Sequence, residues 1–398
     1  MGGVPNLDDV QVEAENDGNL PWFQKNVTHL LRKDRLAELI PELFADLDRA
    51  MAAWPESGIL NPFNDVYALV FQLTTRAATC YEIADDPEQV KKVARLYWTV
   101  EQGSNPRAMI FPWMPNRAVK EKEKATGELY AMLAGIISKR KQNGSERHHD
   151  AFQILIDAGG STADIVQFTF GVLFAGVVNT GINACWSLLF LASHPEWKAK
   201  AIEEISQFIS KYASSGSGSL ASRLAQAPSQ AWEDEMPVLE LIIRETIRLM
   251  SRGASLRRNV KEDVVIEGMT VERGAFLAHA GATVHFDPDV YTNPEEFDPG
   301  RFGKGREEDK KVGHGFVGWG VAHGLTGFSG RHPCLGQRFA QLEIKAILSL
   351  FLIGFEYEHV TAAGKPARVS AADIDRNNLF QARPKNDDLY IRFKKVAL

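Results

Sequence analysis

Apolar residues along the chain recur mostly three and four apart, the spacing of helices with one buried face, and turn residues punctuate them. This pattern predicts helices over Val27–Trp54, with a break near Lys33-Asp34, and over Val66–Ile83, opened by Asn61-Pro62. Asp85-Asp86-Pro87 opens another to about Val100. Arg117–Lys141 predicts a long helix with a charged face, and Asp150–Asp157 a short one. The most apolar helix begins at Ser161-Thr162-Ala163-Asp164 and ends at His194-Pro195-Glu196. Trp197–Tyr212, Glu233–Met250 and Gln337–Phe355 are further helical runs. Strand-like runs are few: Val264–Ile266, Phe276–Ala278 and Tyr390–Phe393. The expectation is a mainly α chain with small β-sheets, an α+β arrangement, forming one domain over 1–398. Residues 1–20 are acidic and patternless, a loop or disordered segment.

Composition changes the picture in three places. The chain has 398 residues, 44% of them hydrophobic, ample for a large core. A net charge of −6 with no basic block excludes nucleic acid as the natural partner. Cys80, Cys185 and Cys334 are widely spaced, which fits a reducing compartment and no disulfide framework. Ile165–Pro195 holds no formally charged residue and passes as a membrane span by length. Its Gln167, Thr169, Asn179, Thr180, Asn183 and Ser187 place it instead inside a large globular core. Ala108–Pro115 is an apolar, proline-bounded stretch that reads equally as a packed loop or as an entry lip touching a membrane. Ser214–Ser219 is a linker, and the sequons at Asn26 and Asn143 are chance matches.

The chemistry concentrates in Gly324–Ala340, a glycine-rich loop that presents Cys334 just ahead of a helix. Helix N-terminal N–H groups favour a thiolate there. Gly330 and Gly336 let the backbone turn and approach a flat ligand, and Arg331 and His332 suit an acidic edge on it. A lone cysteine is ordinarily a small core hydrophobe. With its loop, glycines and basic pair, Cys334 reads as a thiolate metal ligand. No nucleotide-binding loop, nucleophile elbow or reductase domain accompanies it.

This loop resembles the haem-binding loop of the cytochromes P450, and two further segments in the expected order strengthen the resemblance. Glu245-Thr246-Ile247-Arg248 is similar to the family's Glu-x-x-Arg helix, and Phe297-Asp298-Pro299-Gly300-Arg301-Phe302 to its Phe-x-Pro-x-Arg-Phe segment. The resemblance implies haem b with the Cys334 thiolate as axial ligand, and a buried structural lock of Glu245, Arg248 and Arg301. It implies haem contacts from Phe328, Gly330, Gly336 and Gly176, and propionate partners at Arg258 and His332. Gly327 and Phe328 stand in swapped order relative to the family's usual aromatic and glycine. On the apolar helix, Ala175-Gly176-Val177-Val178-Asn179-Thr180 resembles the oxygen-binding bend, but Val178 takes the place of the usual acid and Asn179 that of the usual threonine. Asn179 and Thr180 are therefore the candidate catalytic pair. Asparagine there, and the proline-free run Arg248–Leu256, resemble the clan of sterol 7α- and 12α-hydroxylases and prostacyclin synthase.

The activity implied is a monooxygenase that uses dioxygen and electrons from a separate NADPH-dependent P450 reductase. Its substrate would be a lipophilic small molecule, sterol, terpenoid or polyketide-like, of lipid or secondary metabolism. Phe170, Leu173, Phe174, Ala254, Ser255, Leu256 and Leu379 are candidates to line the groove. The alternatives are an isomerase or dehydratase acting on a peroxide substrate, and a truncated haem-fold protein without catalysis. The resemblance covers about Lys33 to Leu398 and lacks the family's anchor, first sheet and early helices. That implies a cytoplasmic protein, with peripheral contact at the endoplasmic reticulum as the alternative.

Overall fold

A computed structural model describes residues 22–103, 117–142, 146–214, 217–251, 255–320, 333–378 and 381–396, with backbone only at 255 and 256. In chain order its elements begin with α1 (Trp22–Leu30), α2 (Lys33–Ala52), β1 (Ser57–Leu60), α3 (Pro62–Ala78), α4 (Tyr81–Ala84) and α5 (Pro87–Gln102). Next come α6 (Arg117–Arg140), α7 (Ala151–Asp157), α8 (Thr162–Ser193), α9 (Pro195–Tyr212), α10 (Leu220–Leu224), α11 (Ser229–Asp234) and α12 (Pro237–Met250). The remainder are β2 (Ser255–Arg258), β3 (Val264–Ile266), β4 (Met269–Val271), β5 (Phe276–His279), α13 (Ala282–His285), α14 (Gln337–Gly354), β6 (Phe355–Val360) and β7 (Tyr390–Lys395). The chain is mainly α with small antiparallel sheets, as the pattern predicts.

Two differences from the expected boundaries have local causes. The predicted Val66–Ile83 helix stops at Ala78, because Thr79 leaves helical geometry (φ −124°, ψ −129°) before the short α4. Its hydroxyl turns back onto the Thr75 carbonyl at 2.6 Å. The predicted Glu233–Met250 helix is two helices, since Pro237 cannot continue α11 and instead opens α12. The side chain of Glu204 on α9 caps the new start, accepting the N–H groups of Val238 and Leu239 at 2.7 and 2.9 Å.

The described residues form two compact units. The larger comprises residues 25–243, 335–369 and 387–398. Here β1, β7 and β6 form an antiparallel sheet in that order, with Leu60 opposite Ile391 and Tyr357 opposite Phe393. Ser161 and Asp164 close a reciprocal capping box at the start of α8, and every residue from Gly181 to Leu191 is buried. Its buried polar groups are satisfied, which identifies a core helix: Thr169 donates to the Ile165 carbonyl at 2.8 Å and Asn183 to that of Ile243 at 3.3 Å. Asn26 is buried too, which excludes its sequon as an acceptor.

Helices α3 and α8 approach closely because glycine stands at both crossing points. A Cβ at Gly176 would lie 2.8 Å from Thr74 Cγ2, and one at Gly181 would lie 2.9 Å from the Tyr67 ring. The sequence assigns Gly176 to a cofactor contact; the structure turns its open side to Thr74. Thr74 in turn donates through its hydroxyl to Glu343 on α14 at 3.0 Å. Glu343 is fully buried, and burial pushes its carboxyl well above the usual carboxylate range, which favours the protonated acid beside the Thr74 hydroxyl.

The smaller unit comprises residues 1–24, 244–334 and 370–386. β2 pairs with β5, and β3 with β4 through a Glu267-Gly268 turn whose φ values are both positive, at 49° and 78°. Most of the remaining chain from Phe286 to Gly320 lacks regular structure, so its backbone groups need other partners.

The glycine crossing yields a direct test. Gly176→Ala should cost about 1–3 kcal/mol of unfolding free energy through overpacking. Thr74→Ser removes Cγ2 and keeps the hydroxyl, so it should recover most of that loss. Equal destabilisation by Gly176→Ala in both backgrounds would place the crowding elsewhere.

Candidate functional site

The smaller unit is built around one carboxylate. Glu245 and Arg248 lie one turn apart on α12 and pair through two parallel bonds of 2.8 Å. Arg301 reaches the same Glu245 Oε1 at 3.1 Å, and the Asp298 N–H donates to that oxygen at 3.0 Å. All three charged side chains are fully buried. The sequence brings these three together; it gave no sign of a fourth member, Glu308, which accepts from Arg301 at 2.9 Å. Burial alone would raise the Glu308 carboxyl, but bonds from Arg306 and the Thr292 N–H, with the Arg301 and Arg306 charges, hold it at about 2. Glu308 lies in an irregular segment, where no periodicity marks it.

Most remaining donors of the two arginines hold loop carbonyls. Arg248 donates to His285 at 2.5 Å and Pro294 at 2.8 Å; Arg301 donates to Thr292 at 2.9 Å and Glu296 at 3.1 Å. Tyr291 lies under both guanidinium groups, 4.9 and 5.7 Å from its ring centre.

The same unit carries Cys334, whose main-chain N–H donates to the Trp319 carbonyl at 2.8 Å. Cys334 is exposed, whereas Cys80 and Cys185 are buried. Burial pushes the Cys80 thiol far up, and Cys185 Sγ–H donates to the Pro62 carbonyl at 3.1 Å. Only Cys334, of the three, offers a thiol that an incoming metal can reach. In the same turn the Trp319 Nε1–H is buried without a hydrogen-bond partner. An exposed cysteine, held through its N–H by a residue whose indole donor is unsatisfied, fits a thiolate-ligated group with acidic edges.

Other predicted contacts divide. Arg258 is half-buried, its Nε donates to the Gly274 carbonyl at 3.2 Å, and its guanidinium lies 5.4 Å from the Phe276 ring centre. Gly336 has φ −86° and ψ 3°, values open to any residue, so no special backbone conformation requires glycine there. Phe328, Gly330, His332, Ala254 and Leu379, the side chains of Ser255 and Leu256, and the Ala108–Pro115 stretch lie outside the described residues.

On α8, in the larger unit, the row Gln167, Gly171, Ala175, Asn179 at i+4 spacing is open or half-open, flanked by half-buried Phe170 and by Phe174, which is 51% exposed. Leu173, predicted to line a groove, is instead fully buried on the helix's inner side, and Thr180 and Val178 are buried as well. The candidate pair is thus split: Asn179 is exposed and its neighbour is not.

An exposed cysteine and a fully buried Glu-Arg-Arg lock in the smaller unit, and a long core helix in the larger, are the features that the resemblance to the haem-thiolate proteins leads one to expect. The sequence model of the family Cytochrome P450 matches residues 23–371, and the chain belongs to that family. It is 31% identical to cytochrome P450 monooxygenase AacuE of Aspergillus aculeatus, over 87% of this chain and 69% of that protein. It is 28% identical to sterol 14-demethylase of Arabidopsis thaliana, over 84% of this chain and 66% of that one. The chain spans about two thirds of the length of the curated relatives it matches. The retinoic-acid-bound cyanobacterial CYP120A1 shares the fold, with a TM-score of 0.74 at 20% identity, covering 94% of this chain and 78% of that one.

Removing the shared carboxylate tests the lock. Glu245→Ala should cost about 3–5 kcal/mol in denaturant unfolding, because two buried guanidinium groups lose their partner. Glu295→Ala breaks a more exposed pair with Arg376, and should cost under about 1 kcal/mol. Similar losses for the two would refute the assignment.

Proposed function

We propose that this chain binds haem b through the Cys334 thiolate and acts as a monooxygenase on a lipophilic small molecule. The observation that carries the reading is the Cys334 thiol, exposed and tied through its own N–H to Trp319. Thiolate-ligated haem supplies electron density that favours O–O cleavage. Arg258 and His332 are the proposed partners for its carboxylates, with Phe328, Gly330 and Gly336 lining the loop. Electrons would come from a separate NADPH-dependent reductase. The name of the plant relative, a sterol 14-demethylase, supports a sterol-like molecule among the sterol, terpenoid or polyketide-like substrates proposed. Contact with the endoplasmic reticulum surface belongs to the same proposal.

Asn179 is the polar side chain that the open face of α8 offers beside Phe174 and Ala175. An amide does not ionise, so its role is to hold and orient a water that carries the proton. Val178, apolar and buried, favours a second reading in which no proton relay is needed and a peroxide substrate is isomerised.

Reduced protein exposed to carbon monoxide should show the Soret band of thiolate ligation, and Cys334→Ser should abolish it. Cys80→Ser should leave it in place. A histidine-type spectrum in the unaltered chain would overturn the reading.

Asn179→Ala should keep haem content and substrate binding while slowing product formation and wasting reducing equivalents as hydrogen peroxide. Loss of turnover that needs no reductase would favour the isomerase instead. Full, tightly coupled turnover would remove Asn179 from both readings.

A further inference from the structure

One side chain joins the lock to the cysteine. His285, at the end of α13, is fully buried. Its Nε2 lies 3.0 Å from the Val317 N–H, and its Nδ1 lies 2.7 Å from Ser251 Oγ. The Ser251 hydroxyl donates to the Ile247 carbonyl at 2.9 Å, which leaves its oxygen to accept. The network therefore assigns the ring proton to Nδ1, since a proton on Nε2 would face another N–H. The ring stacks on Phe316 with centres 5.3 Å apart, and the His285 carbonyl accepts from Arg248 of the lock.

Val317 begins the turn that reaches Cys334. The Gly320 N–H closes this turn onto the Val317 carbonyl at 3.0 Å, and within it the Trp319 carbonyl receives the Cys334 N–H at 2.8 Å. Gly318, between them, has no room for a side chain: a Cβ would lie 2.3 Å from Ile247 Cγ2 and 2.5 Å from Phe316 Cζ. The turn is pressed on α12 from one side. Through Val317, His285 supplies the acceptor that fixes its entry.

We propose that His285 is a positioning residue for Cys334, setting through the Val317–Gly320 turn where the cysteine backbone is held. The inference rests on Cys334 being the haem ligand, but its geometry is a property of the chain alone. It separates the two arms of the imidazole. Glutamine can place an acceptor near the Nε2 position, and asparagine only near Nδ1, so His285→Gln keeps the Val317 bond and His285→Asn loses it.

Two readouts test this, with thermal unfolding as the stability control. In haem-free protein, the rate of hydrogen exchange at the Val317 and Cys334 amides reads the turn directly, because the first is held by His285 Nε2 and the second by the Trp319 carbonyl. His285→Asn should raise that rate about fivefold to tenfold, the equivalent of one lost buried hydrogen bond, and His285→Gln should stay near the unaltered rate. In haem-loaded protein, the asparagine variant should move part of the carbon monoxide complex from the thiolate Soret position, and glutamine should not. Equal behaviour of the two variants at both readouts would overturn the proposal. So would lowered melting temperatures with unchanged exchange rates and spectrum. If the unaltered protein shows no thiolate band, the haem reading fails, and the amide exchange rates still decide whether His285 holds the turn.

Discussion

Two guanidinium groups sharing the Glu245 carboxylate, all without solvent, constrain the smaller unit more than any other contact. Such a cluster is expensive to desolvate, and a well-packed apolar replacement of equal volume is often as stable. Its value lies in the bonds left over. Arg248 and Arg301 together hold the carbonyls of His285, Thr292, Pro294 and Glu296, in a stretch with almost no regular structure of its own. Helices and sheets satisfy their own backbones; this loop cannot, and the lock does so for it. Glu308 balances the second arginine, so two cations meet two anions and no net charge is buried.

The larger unit relies on the opposite device, which is absence of side chain. Gly176 and Gly181 bring α8 against Thr74 and Tyr67 of α3, and Thr74 carries the contact on to Glu343. A neutral acid suits that position. As a carboxylate it would need cationic or multiple donors, and Oε2 has no hydrogen-bond partner. Burial works in the same direction, raising the carboxyl above its usual range and so favouring the protonated acid.

Legibility in the sequence followed the range of the interaction. Asn61-Pro62, Asp86-Pro87 and the Ser161–Asp164 box act within one helical turn, and each starts its helix where the pattern places it. Glu245, Arg248 and Arg301 were legible through motif order, although the contact with Arg301 spans a long loop. Glu308, His285 and Trp319 were not, because their roles depend on backbone carbonyls and N–H groups that no side-chain pattern records. The partner of Gly176 across the helix crossing was not legible either, for a related reason. A glycine announces a close approach without saying from which side it comes, and here the neighbour is Thr74. Leu173 likewise follows from helix phase: four residues from buried Thr169 and four from buried Val177, it falls on the buried side.

The same phase limits what the open face of α8 can do. Along the row Gln167, Gly171, Ala175 and Asn179 there is no ionisable side chain, and the neighbours Phe170 and Phe174 are aromatic. An amide among apolar groups can orient a water by donating to it and accepting from it, yet it has no proton of its own to release near neutral pH. Thr180 cannot take over, since helix rotation buries it. Any proton needed at this face would have to come from solvent or from whatever binds there. A face that carries the amides of Gln167 and Asn179 among apolar side chains can hold a water through either amide, and offers an apolar molecule only van der Waals contact.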